Sequence, residues 1–241
     1  MNGPMHRSFL VVDVENSSAL DNVELGGMRS TLYRVLDEAI PDPESVVAKE
    51  DRGDGVMLIL EKPVLDVLDR VVEGLLEGVR RHNTTVDPLD WLRIRIAVHE
   101  GYVDRDEHGW RSDALTAAFR LNDAPAVKRT LEHATRASAV VVITDAVYQG
   151  VVRHSYRPTV TPTGYDSAVI GTSQGDIQVW VRVPGYPAPP IPNHQAAAAA
   201  DGHGESRVRA DRTGSVSARN LIVGNVQAHN IVGRDVNGGA A

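Results

Sequence analysis

The order of the apolar segments constrains the fold most, because these segments switch between two periodicities. Residues 7–14 form a short apolar run of the kind found in strands, whereas the apolar residues of 20–39 recur at helical spacing. Residues 45–60 are typical of a hairpin around a Gly- and Asp-rich turn. A second helical stripe follows at 64–79, and 91–103 alternates as a strand does.

This β-α-β-β-α-β order predicts an α+β fold, a ferredoxin-like split βαβ antiparallel sheet with helices on one face. The alternation within 91–103 indicates a half-buried strand, with Arg93, Arg95 and Arg111 as a solvated or dimer-facing set and His99 as a structural residue. The further predicted elements are helices at 113–122 and 124–135 and strands at 139–143 and 177–183.

A change in composition near Pro184 divides the chain. Pro, Ala and Gly supply 15 of the 30 residues from 185 to 214, and large apolar residues are nearly absent there. Burial cannot offset the entropy of ordering such a stretch. We therefore expect a globular domain at 5–184, a flexible, disordered linker at 185–214 and a short β-prone tail at 215–241.

Charge and cysteine content exclude several classes of function. The net charge of −7 argues against non-specific binding to nucleic acid or to an anionic membrane. Zero cysteines exclude disulfides, thiolate metal sites and a cysteine nucleophile. No apolar run has the length of a membrane span and the first residues lack a signal-peptide pattern, so we expect a cytoplasmic protein.

Two aspartates stand at the ends of predicted strands that can lie side by side. Asp13 ends the first apolar run, and Asp54 lies in the hairpin turn. Two carboxylates in contact repel by about 4 kcal/mol at an effective dielectric constant near 20, so they share a proton or bind a cation such as Mg²⁺ or Mn²⁺. Gly53 and Gly55 would let the backbone approach a ligand closely. Alternatively, Asp13 caps the following turn and Asp54 fills a β-turn.

Four segments together resemble the catalytic domain of class III nucleotide cyclases, the adenylate and guanylate cyclase family. They are the strand that holds Asp13, the hairpin around Asp54, a strand with a His-x-Gly sequence and a later helix, at Phe9–Val14, Glu50–Val56, Ile94–Val103 and Leu115–Leu121. They cover most of residues 7–184. The Asp-Arg-Gly-Asp-Gly form is similar to that of an actinobacterial subgroup, so the chain resembles a divergent member.

The resemblance implies a two-metal site. Asp13 and Asp54 would hold two Mg²⁺ or Mn²⁺ ions, with help from the Val14 carbonyl. Such ions lower the pKa of the ribose 3′-hydroxyl and neutralise charge that moves onto the leaving pyrophosphate. In the family the active site forms between two protomers, so the resemblance also implies a homodimer.

The resemblance further assigns three residues to the nucleoside triphosphate. Arg120 would stabilise the pentavalent phosphate, and Thr116 stands at the catalytic position where the family has an Asn that orients the ribose. Glu50 stands where guanine-selecting members carry Glu, which favours GTP, because a carboxylate accepts hydrogen bonds from guanine.

The chain also departs from the family pattern. Besides Thr116, residues Asn16–Ser18 replace the family's Gly-Phe-Thr, and no lysine occurs from 169 to 183, where the family places a triphosphate-binding one. Two hypotheses therefore stay open. One is a signalling effector that forms a 3′,5′-cyclic nucleotide, and the other is an inactive cyclase-homology domain that binds a nucleotide or a protein.

The tail contains two loosely similar segments, Asn220–Val226 and Asn230–Val236, with β-branched residues between Asn and Gly. Such segments suit stacking of identical strands. The stretch 226–233 resembles bacterial amyloid signalling motifs akin to the RHIM type, which implies a partner protein that carries the same motif. A frayed end or an added edge strand is the alternative.

Overall fold

The computed structural model describes residues 3–172 and 175–192. The strands are β1 Met5–Val14, β2 Val46–Asp51, β3 Gly55–Leu60, β4 Ile94–Asp106, β5 Gly109–Arg111, β6 Ala139–Thr144, β7 Tyr165–Thr172 and β8 Gly175–Arg182. The helices are α1 Asn22–Ala39, α2 Val64–Asp66, α3 Glu73–Asn83, α4 Asp113–Asp123, α5 Pro125–His133 and α6 Asp145–Gly150, with a π-helical segment Val67–Val72 between α2 and α3.

The strands form one sheet in the order β2-β3-β1-β4-β6-β8-β7, and β5 pairs with the end of β4. Neighbouring strands are antiparallel except β4 and β6, which are parallel. Because β1 lies between β3 and β4, the first six major elements have the split βαβ arrangement, and the predicted α+β fold is confirmed. None of the helices in the described residues combines the length and apolar character that a membrane span requires.

Helices cover both faces of the sheet, so the prediction of helices on one face is wrong. In one core Leu10 of β1 packs with Leu36 of α1, and in the other Phe9 of β1 packs with Leu121 of α4. Every residue of β3 is buried. Successive side chains of a strand point to opposite faces, so strands that are apolar at every position need cover on both sides.

The first part of the central strand β4, residues 94–98, is buried on both faces, whereas most of the remainder is half-buried or exposed; the prediction of solvated arginines is therefore wrong for Arg95. It lies between β1 and β6, and α4 packs over it. Arg95 is only 7% exposed, and Arg93 pairs with Glu15 at 3.0 Å. Of the three arginines in the predicted set, Arg111 alone is exposed. Strand alternation cannot reveal that a later helix covers the second face.

The described part of the chain continues past β8 to residue 192. Within the predicted linker 185–214, Tyr186 and Ile191 pack against the core beneath α4 and α5. The Tyr186 hydroxyl accepts a hydrogen bond from the Arg136 N–H at 3.3 Å. The rest of that predicted linker and the predicted motif at 215–241 lie outside the described residues.

His99 joins two central strands. Its Nδ1 lies 2.9 Å from the hydroxyl of Thr144, at the end of β6. Burial, with a smaller contribution from His6, lowers the pKa of His99 to about 4. The folded protein therefore holds this imidazole in its neutral form at neutral pH.

We expect the free energy of unfolding to fall as the pH drops from about 6.5 to about 4, because unfolded His99 takes up a proton that the folded side chain does not. At about 1.4 kcal/mol per unit of pKa difference, the loss approaches about 3 kcal/mol. His99→Asn should show a shallower fall in urea denaturation across this range, whereas exposed His108→Asn should match the wild type. An unaltered pH dependence in His99→Asn would contradict this account.

Candidate functional site

A polar cavity of about 420 Å³ opens where β1 ends and β3 begins. Its walls come from both sides of the β2–β3 turn, from the segment after β1, from β4 and from the ends of α4 and α5. Five carboxylates and three cations line it, a formal excess of two negative charges, and they are Asp13, Glu15, Asp54, Asp123, Glu132, Arg52, Arg95 and Lys128. This charge balance favours a ligand that brings a cation.

Asp13 and Asp54 both line this cavity. The antiparallel register places Asp13 opposite Gly55, and the main-chain carbonyl of Asp54 accepts a hydrogen bond from the Val14 N–H at 3.1 Å. The strand pairing of β1 and β3 thus brings together two aspartates that are 41 residues apart in the sequence.

Each of these carboxylates has a protein partner. The Arg95 guanidinium donates to Asp13, and the two side chains are 8% and 16% exposed. The Ser17 hydroxyl donates to Asp54. Burial raises the pKa of Asp13 above its usual range; the Arg95 guanidinium opposes this rise, and the charges of Asp54 and Asp123 add to it.

Sequence reasoning missed Arg95 as a residue of this site. Arg95 is the direct cross-strand partner of Asp13 in the register of β1 and β4, where opposite charges attract, and only the fold reveals this register. Sequence reasoning treated Ser17 only as a departure from the family pattern, yet its hydroxyl holds one of the two carboxylates.

Two different structural constraints explain the glycines at positions 53 and 55 of the turn. A Cβ on Gly55 would overlap the Val12 carbonyl oxygen of β1, so glycine is required for the close approach of β1 and β3. Gly53 has φ +89°, a left-handed conformation that glycine adopts without strain. The Gly53 carbonyl accepts a hydrogen bond from Arg29, which also pairs with Asp51. The hydrogen bonds that Arg29 donates to the Asp51 carboxylate hold the pKa of Asp51 well below its usual range.

The three residues that the resemblance assigns to the nucleotide lie outside the cavity of Asp13 and Asp54. Glu50 is exposed near the end of the edge strand β2, and Arg120 is exposed on α4. The Thr116 hydroxyl donates to the Ser112 carbonyl at 3.0 Å, and Thr116 lines a different cavity beside Trp110. None of the three lines the cavity that holds Asp13 and Asp54 in the same chain.

The donor set fits a hard divalent cation. Carboxylates are the ligands that Mg²⁺ and Mn²⁺ prefer, and Asp13 and Asp54 present two of them beside the main chain of Val14. No cluster of three or more His, Cys, Asp or Glu side chains with metal-ligand geometry occurs in residues 3–172 and 175–192. Water molecules, main-chain carbonyls or a bound molecule would supply the remaining ligands of such an ion.

Buried polar atoms beside the cavity also point to a missing partner. Arg95 Nε and Asn122 Oδ1 are buried without a hydrogen-bond partner, and both residues line the cavity. Buried polar groups in native proteins are nearly always paired, so a water molecule or a ligand in this cavity would satisfy these atoms.

No protein-family model matches the chain, and no curated protein is significantly similar to it. Among solved structures, an adenylate/guanylate cyclase/hydrolase from Silicibacter pomeroyi aligns with a TM-score of 0.55 at 17% identity, over 77% of this chain and all of that one. A bacterial light-regulated adenylyl cyclase aligns at 16% identity with a TM-score of 0.47, over 74% of this chain and 90% of that one. The described domain thus has a class III cyclase-like fold.

Proposed function

We propose that this domain binds a nucleoside triphosphate together with Mg²⁺ or Mn²⁺ in the cavity of Asp13 and Asp54. The observation that carries the proposal is the convergence of these two carboxylates on one cavity of a cyclase-like fold. When bound, the metal would lower the pKa of the ribose 3′-hydroxyl and neutralise charge on the pyrophosphate.

The proposed reaction forms a 3′,5′-cyclic nucleotide. The 3′-oxygen attacks the α-phosphorus, the hydroxyl proton is released, the bond from the α-phosphorus to the α–β bridging oxygen breaks, and pyrophosphate leaves. Asp13 and Asp54 would hold the metal. If Asp13 held the metal, the Arg95 guanidinium that now pairs with it would become available for charge-assisted hydrogen bonds to phosphate oxygens.

The proposal includes a homodimer. Arg120 is exposed and does not line the cavity of its own chain, so its contact with the reacting phosphate requires a second copy. Glu50 belongs to the same proposal as the residue that favours guanine. Assembly through 215–241 with a partner that shares the motif, and the assignment to an actinobacterial subgroup, stay predictions from the sequence.

One observation favours the alternative of a domain that binds a nucleotide without turning it over. Thr116, at the position of the family's ribose-orienting Asn, uses its hydroxyl to hydrogen-bond the Ser112 carbonyl. A hydroxyl committed to its own helix is poorly placed to orient a ribose.

Purified full-length protein with Mn²⁺ should bind GTP more tightly than ATP and release pyrophosphate with a cyclic product. Asp54→Asn should lower product formation at least about 100-fold, because a neutral amide neither holds the metal nor balances its charge. Exposed Asp166→Asn on β7 is the matched control. Calorimetry measures binding, and chromatography of the products measures turnover.

The outcomes separate the two hypotheses. Binding without product at high protein concentration, with weaker binding by Asp54→Asn, supports the inactive nucleotide-binding domain. If neither GTP nor ATP binds in the presence of Mn²⁺, the nucleotide proposal is wrong in both forms.

A further inference from the structure

Two cations of the cavity have no part in the proposed metal site. Arg52 lies in the turn between β2 and β3, and Lys128 lies in α5, 76 residues later. The fold brings both side chains to the cavity that holds Asp13 and Asp54. Neither residue belongs to the positions that the family resemblance assigns.

Arg52 keeps its guanidinium donors available. The guanidinium lies over the Phe119 ring, 4.8 Å from its centroid, and Phe119 also lines the cavity. Its main-chain N–H donates to the Gly55 carbonyl at 2.9 Å, which fixes the backbone of the turn. In the described part of the chain, no carboxylate lies within ion-pair distance of this guanidinium. Stacking on an aromatic ring orients a guanidinium while its edge stays free for an anion.

Lys128 has a partner that it can exchange. Its Nζ lies 3.2 Å from Asp123, and the two side chains are 41% and 68% exposed. Ion pairs at this exposure contribute little to stability, so a more highly charged anion in the cavity readily displaces Asp123.

The charge of a triphosphate requires cations beyond the metal. The chain has no lysine from 169 to 183, where the resemblance implies one, and Arg182 in that segment pairs with Glu73. The cavity offers Arg52 and Lys128 instead. Basic side chains that converge on one cavity are suited to phosphate groups.

We propose that Arg52 and Lys128 form a polyphosphate subsite of this cavity and supply, from the β2–β3 turn and α5, the positive charge of the lysine that residues 169–183 lack. This inference rests on the proposed nucleotide function. Because both residues belong to the chain that carries Asp13 and Asp54, the subsite is complete within one copy of the chain.

The test compares three ligands, each with Mn²⁺, by calorimetry: GTP, GMP and inorganic tripolyphosphate. Arg52→Gln and Lys128→Gln should each bind GTP and tripolyphosphate about 10-fold more weakly, since each loses one charge-assisted hydrogen bond. Their affinity for GMP should change less than about 2-fold. The matched controls are Arg129→Gln, the next residue on α5, and Arg105→Gln, which stacks on Trp110 away from the cavity. Both controls should bind all three ligands as the wild type does.

The ligands distinguish this inference from the nucleotide proposal. If the wild type binds GTP and neither variant weakens it, the subsite is overturned while the nucleotide proposal stands. If tripolyphosphate binds in a manner that depends on Arg52 and Lys128 but GTP does not bind, the subsite is supported and the nucleotide proposal is overturned. A wild type that binds neither ligand overturns both.

Discussion

Replacing Arg95 with methionine is expected to lower the free energy of unfolding by about 3–5 kcal/mol at neutral pH. The guanidinium pairs with Asp13 in a setting where both side chains are largely buried. Removal of one partner leaves the other charge buried and uncompensated, which costs far more than the pair contributes. Methionine has a similar length and no polar atoms, so the loss of packing is small.

The loss should shrink as the pH is lowered. Burial already raises the pKa of Asp13, and without Arg95 the opposing effect disappears, so the pKa rises further. A carboxyl with a raised pKa in the folded state binds a proton more tightly there than in the unfolded chain. The destabilisation caused by its buried charge therefore declines as the pH falls through the folded-state pKa. Urea denaturation at pH 7 and near pH 5 measures both effects.

Two controls test whether the unpaired buried charge causes the loss of stability. Asp13→Asn combined with Arg95→Met removes both charges and should recover much of the stability lost by Arg95→Met alone. Exposed Arg111→Met, which breaks the surface pair with Asp104, should change stability by less than about 1 kcal/mol. A loss below about 1 kcal/mol in Arg95→Met, similar to Arg111→Met, would contradict the expectation that an unpaired Asp13 carboxylate is costly in this position.

Gly55→Ala is expected to be the second severe change, with a loss of about 3 kcal/mol in stability and of metal-dependent nucleotide binding. The added Cβ would overlap the Val12 carbonyl oxygen and lie 3.2 Å from Asp13 Cα and 3.3 Å from Asp13 Oδ1. These are mainly backbone contacts between two central strands, which relax only if β1 and β3 separate. Separation would move Asp13 away from Asp54.

Gly26→Ala is the matched control. Gly26 lies on the exposed side of α1, and a Cβ there meets no atom within 4 Å. Alanine in an open helical position should raise stability by about 1 kcal/mol. The two variants thus carry the same added methyl group, but the expected changes in the free energy of unfolding, measured by urea denaturation, have opposite signs. Gly55→Ala within about 1 kcal/mol of the wild type would show that β1 and β3 tolerate a wider spacing.

The order of the first six major strands and helices and the split βαβ arrangement were predictable from the sequence, whereas β5, α6 and β7 were not among the predicted elements. Both follow from local patterns: apolar periodicity over ten to twenty residues and a Gly- and Asp-rich turn that closes a hairpin. The same turn places Asp54 immediately before β3, and an antiparallel β1 then brings Asp13 beside it. The predicted pair of carboxylates therefore depended only on short-range signals and one strand pairing.

The partners of that pair came from long-range packing. Arg95 is 82 residues from Asp13, and its burial depends on α4, which covers the second face of the sheet. Lys128 reaches the cavity only because α5 packs beside α4. A side chain on a strand or helix faces solvent or a neighbour according to which elements fold over it, and no local period encodes that. The sequence alone thus determined the elements and the two aspartates, whereas tertiary packing decided which cations share their cavity.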